Sequence, residues 1–338
     1  MINPVVSVVV LTKNSMMYIA RCLKSLEHQT LQNFEVLIVD AGSTDNTRAI
    51  VNTFDDRFKW LDLPNSDMGA ARNYGISNSK GELVFFLDSD DFYLPTKLES
   101  QVKFLQCHPN VDVHFCAAWH FRTGNTVRLG LKKTNAQPAS INDFIQGRNH
   151  NLGTMSLRRS ILDTGFKFGE GDRGRYGEEW RLQLSMAVSG VQMVFQPEPL
   201  VVVEIRPDSH TAWSLQWVMK QQAIREIENV ATLLTPAQRG AIDITRILDN
   251  FRWKLVIALL LDGRNMEALD AANTITDSVK ARRARQLIAF SRYFHKTILQ
   301  KTLRIMWIWR QNRSFTWQKT PSALRAYFKS LEANPISH

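Results

Sequence analysis

The chain has 338 residues and a net charge of +10, with 44% hydrophobic and 22% charged residues. These proportions are typical of a folded soluble protein with one large domain or two smaller ones. No apolar run approaches the roughly 18 residues that a membrane-spanning helix needs. The three cysteines form no CxxC pair, which disfavours a disulfide framework or a zinc site and favours a reducing compartment. The N-terminal stretch lacks a basic segment and a small-residue cleavage site, so it predicts no signal peptide.

The basic excess lies in the last third of the chain. Residues 1–205 carry 21 Lys and Arg against 22 Asp and Glu, whereas residues 206–338 carry 21 against 10. This asymmetry predicts two regions with different partners.

The first half of the chain alternates strand and helix patterns. Apolar runs at residues 5–11, 34–39, 58–63 and 83–87 predict strands, and helical spacing lies between them. This alternation predicts an α/β fold with a Rossmann-like, mostly parallel sheet flanked by helices. From residue 213 onward long helical patterns replace the strand patterns. We therefore predict an α/β domain over residues 1–210 and an α-helical region over residues 211–338.

Three carboxylates follow the strand at 83–87, at Asp88, Asp90 and Asp91. In open parallel sheets ligands bind beyond the carboxyl ends of the strands, so these carboxylates are expected in a crevice. Oxygen ligands suit Mg²⁺ or Mn²⁺, and magnesium completes its shell with water and substrate phosphates. The cluster therefore predicts a metal-bound nucleotide diphosphate. A solvated acidic turn is the alternative, because short motifs often occur by chance.

Four blocks of sequence occur in order over about residues 5 to 205: VSVVVLTKN, QTLQNFEVLIVDAGSTDNT, GAARNYGISNSKGELVFFLDSDD and YGEEWRLQLSMAVSG. Together they resemble the family 2 glycosyltransferases, which are inverting enzymes of the GT-A fold.

The resemblance implies a nucleotide site at the ends of the first strands. Thr12 and Asn14 match positions that cradle the nucleotide. Asp40 matches an aspartate that contacts a uracil edge, which favours a UDP-sugar; it could instead cap the next helix. Arg72 matches an arginine near the diphosphate, with a surface salt bridge as its alternative.

The resemblance also implies a metal site. Asp90 matches the direct metal ligand, and Asp88 matches a residue that faces ribose or metal. Asp91 is expected to hold the turn. His210, in the stretch RPDSH, matches a histidine that completes the metal or diphosphate site in many GT-A enzymes; an exposed loop histidine is the alternative.

A second acidic site is predicted at Glu178 and Glu179, where the family usually has Glu-Asp. In an inverting transfer, a carboxylate removes the acceptor hydroxyl proton as that oxygen attacks the anomeric carbon. The matching base is Glu179, and Glu178 is the alternative base or a residue that orients the acceptor. Acidic residues in a first helical turn also complement the helix dipole. Trp180 is expected in the acceptor floor or in the core.

Weaker acceptor-site candidates lie between the two acidic sites. The resemblance places acceptor binding in the segment that contains Asn149, His150, Asn151, Arg158 and Arg159.

The basic C-terminal region has its own composition. Residues 278–331 contain thirteen Lys and Arg and no Asp or Glu, with Trp, Phe and Tyr interleaved. This composition is typical of helices that bind an anionic membrane surface. A solvated basic face of an ordinary helical domain is the alternative. Nucleic acid is not an expected partner, because no recognised nucleic-acid module is present. We predict a cytoplasmic protein, peripheral at the cytoplasmic face of a membrane.

These patterns together predict a metal-dependent, inverting hexosyltransferase. It would move a sugar from a UDP-sugar to a saccharide or lipid-linked acceptor by single displacement, in polysaccharide or glycoconjugate biosynthesis. Two alternatives stay open. A nucleotidyltransferase of related fold would need a glycine-rich loop after the first strand, and TKNSMMY has none. A non-catalytic nucleotide-sugar-binding scaffold would account for the Glu-Glu departure.

Overall fold

The computed structural model describes residues 3–122, 128–132, 140–171, 177–205, 216–291, 315–319 and 322–332. The strands in this part of the chain are β1 Val6–Thr12, β2 Phe34–Asp40, β3 Phe58–Asp62, β4 Leu83–Asp88, β5 Phe92–Tyr93, β6 Val113–Arg122, β7 Arg128–Lys132, β8 Met155–Arg158, β9 Met193–Ile205 and β10 Phe315–Lys319. The helices are α1 Ile19–Glu27, α2 Thr47–Val51, α3 Met68–Asn78, α4 Lys97–Cys107, α5 Ile141–Ile145, α6 Arg159–Asp163, α7 Glu178–Val188, α8 Gln216–Leu233, α9 Pro236–Ala241, α10 Ile244–Asp262, α11 Asn265–Asn273, α12 Ser278–Ser291 and α13 Ser322–Glu332, with a 3₁₀ turn at Leu152–Thr154.

The described strands form one mixed sheet, in the order β10-β7-β6-β8-β4-β1-β2-β3. Strand β1 pairs in parallel with β2 and β4, and β2 pairs in parallel with β3, as the sequence predicts. The other half differs from a mostly parallel sheet. Strand β8 is antiparallel to β4 and β6, β7 is antiparallel to β6, and β9 joins β6 in parallel and β5 antiparallel.

Helices cover both faces of the parallel half. Alternate residues of a strand point to opposite faces, and Val8 and Val10 pack with α1 while Val9 packs with α3. All seven residues of β2 are buried, which explains its unbroken apolar run. Gly75 allows α3 to approach β1 closely, because a Cβ there would lie 2.4 Å from Val9 Cγ1.

By its contacts the chain divides into two compact units. The first contains Met1–Ser140, Asn149–Ile205 and Thr316–His338, and the second contains Ile141–Arg148 and Arg206–Phe315. This division differs from the predicted boundary after residue 210, because α13 belongs to the first unit and α5 to the second. Strand β10 also lies beyond residue 213, where the sequence predicts only helices.

Helix α13 packs within the first unit through its apolar face. Leu331 is 2% exposed and lies in a cluster with Phe92 and Val202. The Phe328 ring meets the Phe92 ring edge-on, with centroids 5.0 Å apart, and Tyr327 donates a hydrogen bond to the Tyr93 carbonyl over 2.9 Å. These two aromatic residues of the basic C-terminal region thus support strand β5.

The second unit is helical in its described part. Helix α10 packs against α8 and α11 through buried apolar residues that include Phe251, Leu255 and Leu259. Asp249 accepts hydrogen bonds from the N–H groups of Thr276 and Asp277, over 3.0 and 2.7 Å, just before α12. No helix among the described residues is both long enough and apolar enough to cross a membrane.

Candidate active site

Polar side chains end the three central strands of the parallel half. In the strand register Thr12 pairs with Asp40, and Asp88 lies opposite Leu11 on the other side of β1. Because β1 pairs in parallel with both neighbours, these ends meet at one edge of the sheet. The predicted nucleotide and metal residues are therefore neighbours in the fold.

The acidic turn after β4 is closed by its own backbone. The Asp91 N–H donates to the Asp88 carbonyl over 2.9 Å. Asp91 is 3% exposed, and its Oδ1 accepts from the Glu204 N–H over 2.9 Å. Burial, reinforced by the charges of Asp90 and Asp88, raises the pKa of Asp91 well above its usual range. Asp91 thus points into the protein, whereas Asp88 and Asp90 are partly exposed.

A buried arginine joins this turn to the second acidic site. Arg72 is 3% exposed; its Nη2 lies 3.1 Å from Asp88 Oδ1, and its Nη1 pairs with Glu178 Oε1. The Asp88 side chain remains 42% exposed, whereas that of Glu178 is only 6% exposed. The guanidinium is therefore buried and engaged with two carboxylates, which differs from a surface salt bridge. Its contact with Asp88 keeps it beside the predicted metal and nucleotide residues.

A second arginine, which sequence reasoning missed, lies behind the turn. Arg21 donates through Nη2 to the Asp90 carbonyl over 3.1 Å and forms an ion pair with Glu204. Its guanidinium lies 4.9 Å from the centre of the Phe92 ring. Arg21 and Glu204 are 183 positions apart, so no local pattern reveals the pair.

Glu178 and Glu179 begin helix α7 but have different partners. While Glu178 pairs with Arg72, Glu179 accepts from Asn149 Nδ2 over 2.9 Å and from the Leu152 N–H over 3.1 Å. Burial, followed by the adjacent charge of Glu178, raises the pKa of Glu179 to about 7. A carboxyl group that ionises near neutral pH matches the requirement for a general base.

Hydrogen bonds join the loop after β1 to the loop after β2. Both oxygens of Asp40 accept from the following turn, including the Gly42 and Ser43 N–H groups at 3.1 and 2.8 Å. Asn14, with φ of 49°, accepts from the Thr44 N–H over 2.8 Å. Asp40 is 4% exposed, so its carboxylate shapes this turn.

Thr12 differs from these neighbours. Its hydroxyl is buried and has no hydrogen-bond partner among the described residues. A buried polar group without a partner is costly, so a ligand that satisfies it is favoured.

The carboxylates at this edge of the sheet suit a divalent cation only if water and substrate phosphates supply its other ligands. No group of three or more His, Cys, Asp and Glu in the described part of the chain is arranged to hold a metal. Magnesium commonly uses one or two carboxylates and takes its other ligands from water and substrate phosphates. Asp88 and Asp90 fit that mode. His210 lies outside the described residues.

Most of the weaker acceptor-site candidates have structural partners. Arg158 donates to the Val111 and Leu105 carbonyls over 2.9 and 2.6 Å, and Arg159 donates to the Gly81 carbonyl over 2.7 Å. His150, Asn151 and Trp180 are also held within the protein: the His150 and Trp180 side chains are buried, and Asn151 caps the 3₁₀ turn. Among these candidates, Asn149 contacts a predicted catalytic residue directly.

Comparisons with known proteins show which sequences and folds this chain is similar to. Residues 7–166 match the model of Glycosyl transferase family 2. The chain is 35% identical over 168 residues to EpsH of Bacillus subtilis (strain 168), which is named as a glycosyltransferase. It is 31% identical over 163 residues to a Haemophilus influenzae protein described as an uncharacterized glycosyltransferase. These alignments cover 48% and 47% of this chain, but only 49% and 64% of the two relatives.

Two solved structures share the fold. S. aureus TarS 1–349 in complex with UDP-GlcNAc is 20% identical, with a TM-score of 0.57 over 88% of this chain and 91% of that one. The mannosyltransferase PcManGT from Pyrobaculum calidifontis, in complex with GDP-Man and Mn²⁺, is 16% identical, with a TM-score of 0.55 over 98% and 86%. The resemblance to the family 2 glycosyltransferases is confirmed over residues 7–166, and these two structures confirm the GT-A fold.

Replacement of Arg72 tests the bridge that its guanidinium forms between the two acidic sites. Arg72→Met is expected to lower the free energy of unfolding by about 3 kcal/mol, because it leaves the Glu178 carboxylate buried and unpaired. Chemical denaturation measures this loss, and Arg72→Met combined with Glu178→Leu should recover part of it. The matched control is Arg48→Met, whose partner Asp62 is 57% exposed, so the loss should stay below about 1 kcal/mol. Equal losses in the two arginine variants would contradict a buried bridge.

Proposed function

We propose that the chain is an inverting, metal-dependent glycosyltransferase of the hexosyl-transferring type. The observation that carries the proposal is the Arg72 bridge, which joins the carboxylate at the end of β4 to the acidic start of α7. Donor-side and acceptor-side chemistry thereby meet at one edge of the sheet. The acceptor in this proposal is a saccharide or a lipid-linked saccharide, as in polysaccharide or glycoconjugate biosynthesis.

Glu179 is the general base in this proposal. Its carboxylate takes the proton of an acceptor hydroxyl as that oxygen attacks the anomeric carbon, and the nucleotide diphosphate leaves from the opposite face. Glu178 is committed to Arg72 and acts as a positioning residue. Glu179 is one methylene longer than the aspartate usual in the family, and its two hydrogen bonds to the 149–152 segment define where the longer side chain ends.

Asp88 and Asp90 would hold Mn²⁺ or Mg²⁺ together with the donor diphosphate. The bound cation would stabilise the negative charge that develops on the diphosphate leaving group. Thr12 lies beside these residues, and its buried hydroxyl has no hydrogen-bond partner in the described part of the chain, which supports nucleotide contact there. Asn14 and Asp40 build the loops on the nucleotide side.

The donor in this proposal is a UDP-sugar. TarS, which shares the fold, is known in complex with UDP-GlcNAc, and this favours UDP. PcManGT binds GDP-Man, so GDP-sugars are the comparison to make. The involvement of Asp40 in its own turn leaves the uracil contact that the sequence predicts without direct support.

The proposed base predicts a pH profile for transfer, and a loss of turnover without a loss of nucleotide-sugar binding when Glu179 is replaced. Transfer should rise with pH, reach half of its maximum near pH 7 and level off about one pH unit higher, because Glu179 must be ionised to accept a proton. Glu179→Gln should reduce kcat by at least about 100-fold while nucleotide-sugar affinity stays unchanged. Steady-state kinetics from pH 5 to pH 9 and isothermal titration measure these two effects. Full activity of Glu179→Gln would contradict the assignment.

Donor class and metal dependence are tested by thermal unfolding with UDP-sugars and GDP-sugars, with and without Mn²⁺. A ligand at 100 times its Kd stabilises the native state by about 2.7 kcal/mol, so a matching donor should raise the unfolding temperature. Asp90→Asn should remove the metal-dependent part of this increase, and Asp163→Asn, at an exposed site on α6, should not. Equal stabilisation without metal would contradict the metal site. Absence of transfer or donor hydrolysis with every nucleotide-sugar would favour the scaffold alternative.

We also propose that the basic C-terminal region contacts an anionic membrane surface. Helix α12 exposes Arg282, Arg283 and Arg285, and residues 278–331 carry no acidic side chain. Basic residues near an anionic leaflet contribute about 1 kcal/mol each to binding.

The membrane proposal predicts sedimentation with anionic vesicles at low salt. Replacement of Arg282, Arg283 and Arg285 by Glu should release the protein, whereas deletion of the C-terminus would also remove the α13 packing. Vesicles of neutral phosphatidylcholine are the control. Unchanged sedimentation of the triple variant would contradict a role for α12.

A further inference from the structure

Both carboxylate oxygens of Glu179 accept a hydrogen bond from the same short segment. Asn149 Nδ2 donates to Oε1 over 2.9 Å, and the Leu152 N–H donates to Oε2 over 3.1 Å. A carboxylate oxygen has two acceptor positions, so the two described donors occupy one position on each oxygen. The positions of Asn149 and Leu152 therefore decide which lone pairs of Glu179 can face an acceptor hydroxyl.

The segment that supplies these donors is fixed to helix α7. Gln183 lies one turn after Glu179, so the two side chains project from the same face of the helix. Gln183 is fully buried; its Oε1 accepts from the His150 N–H, and its Nε2 donates to the His150 carbonyl, both over 2.9 Å. Asn149 and Leu152 are thus held in a fixed position relative to helix α7, which carries Glu179.

The Asn149 side chain is separate from the turn that follows it. That turn is closed by Asn151, whose Oδ1 accepts from the Gly153 N–H over 2.8 Å and whose carbonyl accepts from the Thr154 N–H over 2.9 Å. Apart from Glu179, the Asn149 amide nitrogen approaches, among the described residues, only the adjacent His150 carbonyl, over a long 3.5 Å. Replacement of Asn149 therefore removes the donor without removing the bonds that form the turn.

We propose that Asn149 is a positioning residue that orients the Glu179 carboxylate and stabilises its ionised form. The inference deepens the proposed function, since it rests on Glu179 as the base. A hydrogen bond to the charged form of a carboxyl group favours that form. The described charges near Glu179 act in both directions, because Glu178 and Asp88 oppose its ionisation and Arg72 favours it. Loss of the Asn149 donor shifts this balance toward the protonated, inactive carboxyl.

The test is Asn149→Leu, which keeps a similar volume but has no donor. Glu179 should ionise about one pH unit higher, and the acid limb of kcat should move by the same amount. At pH 7 kcat should fall about fivefold, and by pH 9 it should return to within about twofold of the wild type, because the carboxyl is then ionised in both proteins. Nucleotide-sugar affinity should not change, since Asn149 contacts the base and not the donor site.

The ionisation of Glu179 can be followed without turnover, through the ¹³C shift of its labelled side-chain carboxyl, assigned by comparison with Glu179→Gln. Asn149→Gln retains an amide donor and should recover part of the shift. Asn78→Ala, at the exposed end of α3, is the matched control and should titrate as the wild type does. If Asn149→Leu does not fold by circular dichroism, Asn149→Ala provides the same comparison.

An unchanged Glu179 titration in a folded Asn149→Leu protein would overturn the inference, whether or not transfer is observed. A wild type that transfers no sugar would overturn the proposed function instead, and the titration would still decide the role of Asn149. A shifted titration with an unshifted pH profile would support the role of Asn149 but overturn Glu179 as the base, because ionisation of Glu179 would then not limit the rate.

Discussion

The two acidic sites depend on one buried guanidinium. Carboxylates brought together out of water repel each other and lose hydration, and both costs grow with burial. Arg72 offsets both for Glu178 and also holds Asp88, although these partners are 106 and 16 positions away in the chain. Because the guanidinium is planar and its donors are fixed in direction, it sets the relative position of the two carboxylates as well as neutralising charge. The end of β4 and the start of α7 are thereby joined.

A second arginine, Arg21, stabilises the acidic turn after β4 in a similar way. Arg21 binds the Asp90 carbonyl and the Glu204 carboxylate, and the Glu204 N–H in turn binds Asp91. Arg21 also lies over Phe92, which α13 supports through Phe328. The turn is therefore fixed at its backbone and at its buried residue, while the carboxylates of Asp88 and Asp90 stay partly exposed. Because the backbone is fixed in this way, the two exposed carboxylates have less freedom to lose if they bind a ligand.

The parallel half of the sheet could be predicted because each strand is buried on both faces and appears as an unbroken apolar run. Parallel pairing then brings Thr12, Asp40 and Asp88 to one edge without further information. The mixed half was not predictable in this way. Strand β8 has four residues and ends at Arg158, and β5 has two, so neither presents a run long enough to be recognised.

The partners of the site residues were also hidden, for a different reason. Ion pairs such as Arg21–Glu204 join residues far apart in the chain and leave no periodic signal. For Asp40, residue type indicated a carboxylate at a strand end but could not show that both of its oxygens are satisfied by the next turn. A motif predicts where a functional group lies. The hydrogen-bonding positions that this group still has available depend on loops, and tertiary contacts set the geometry of those loops.

The adjacent glutamates of α7 show how tertiary contacts assign chemistry to identical side chains. Both begin the same helix, where the dipole favours a negative charge, so the helix alone cannot distinguish them. Glu178 meets a cation, whereas Glu179 meets two neutral N–H donors and the charge of its neighbour. Neutral donors stabilise a carboxylate less than an ion pair does, so they compensate burial only in part. The result is one carboxylate committed to structure and another with a pKa near neutrality, able both to hold and to release a proton. The ion pair at Glu178 is thus part of what makes Glu179 basic, because the charge that Arg72 stabilises at one position opposes ionisation at the next.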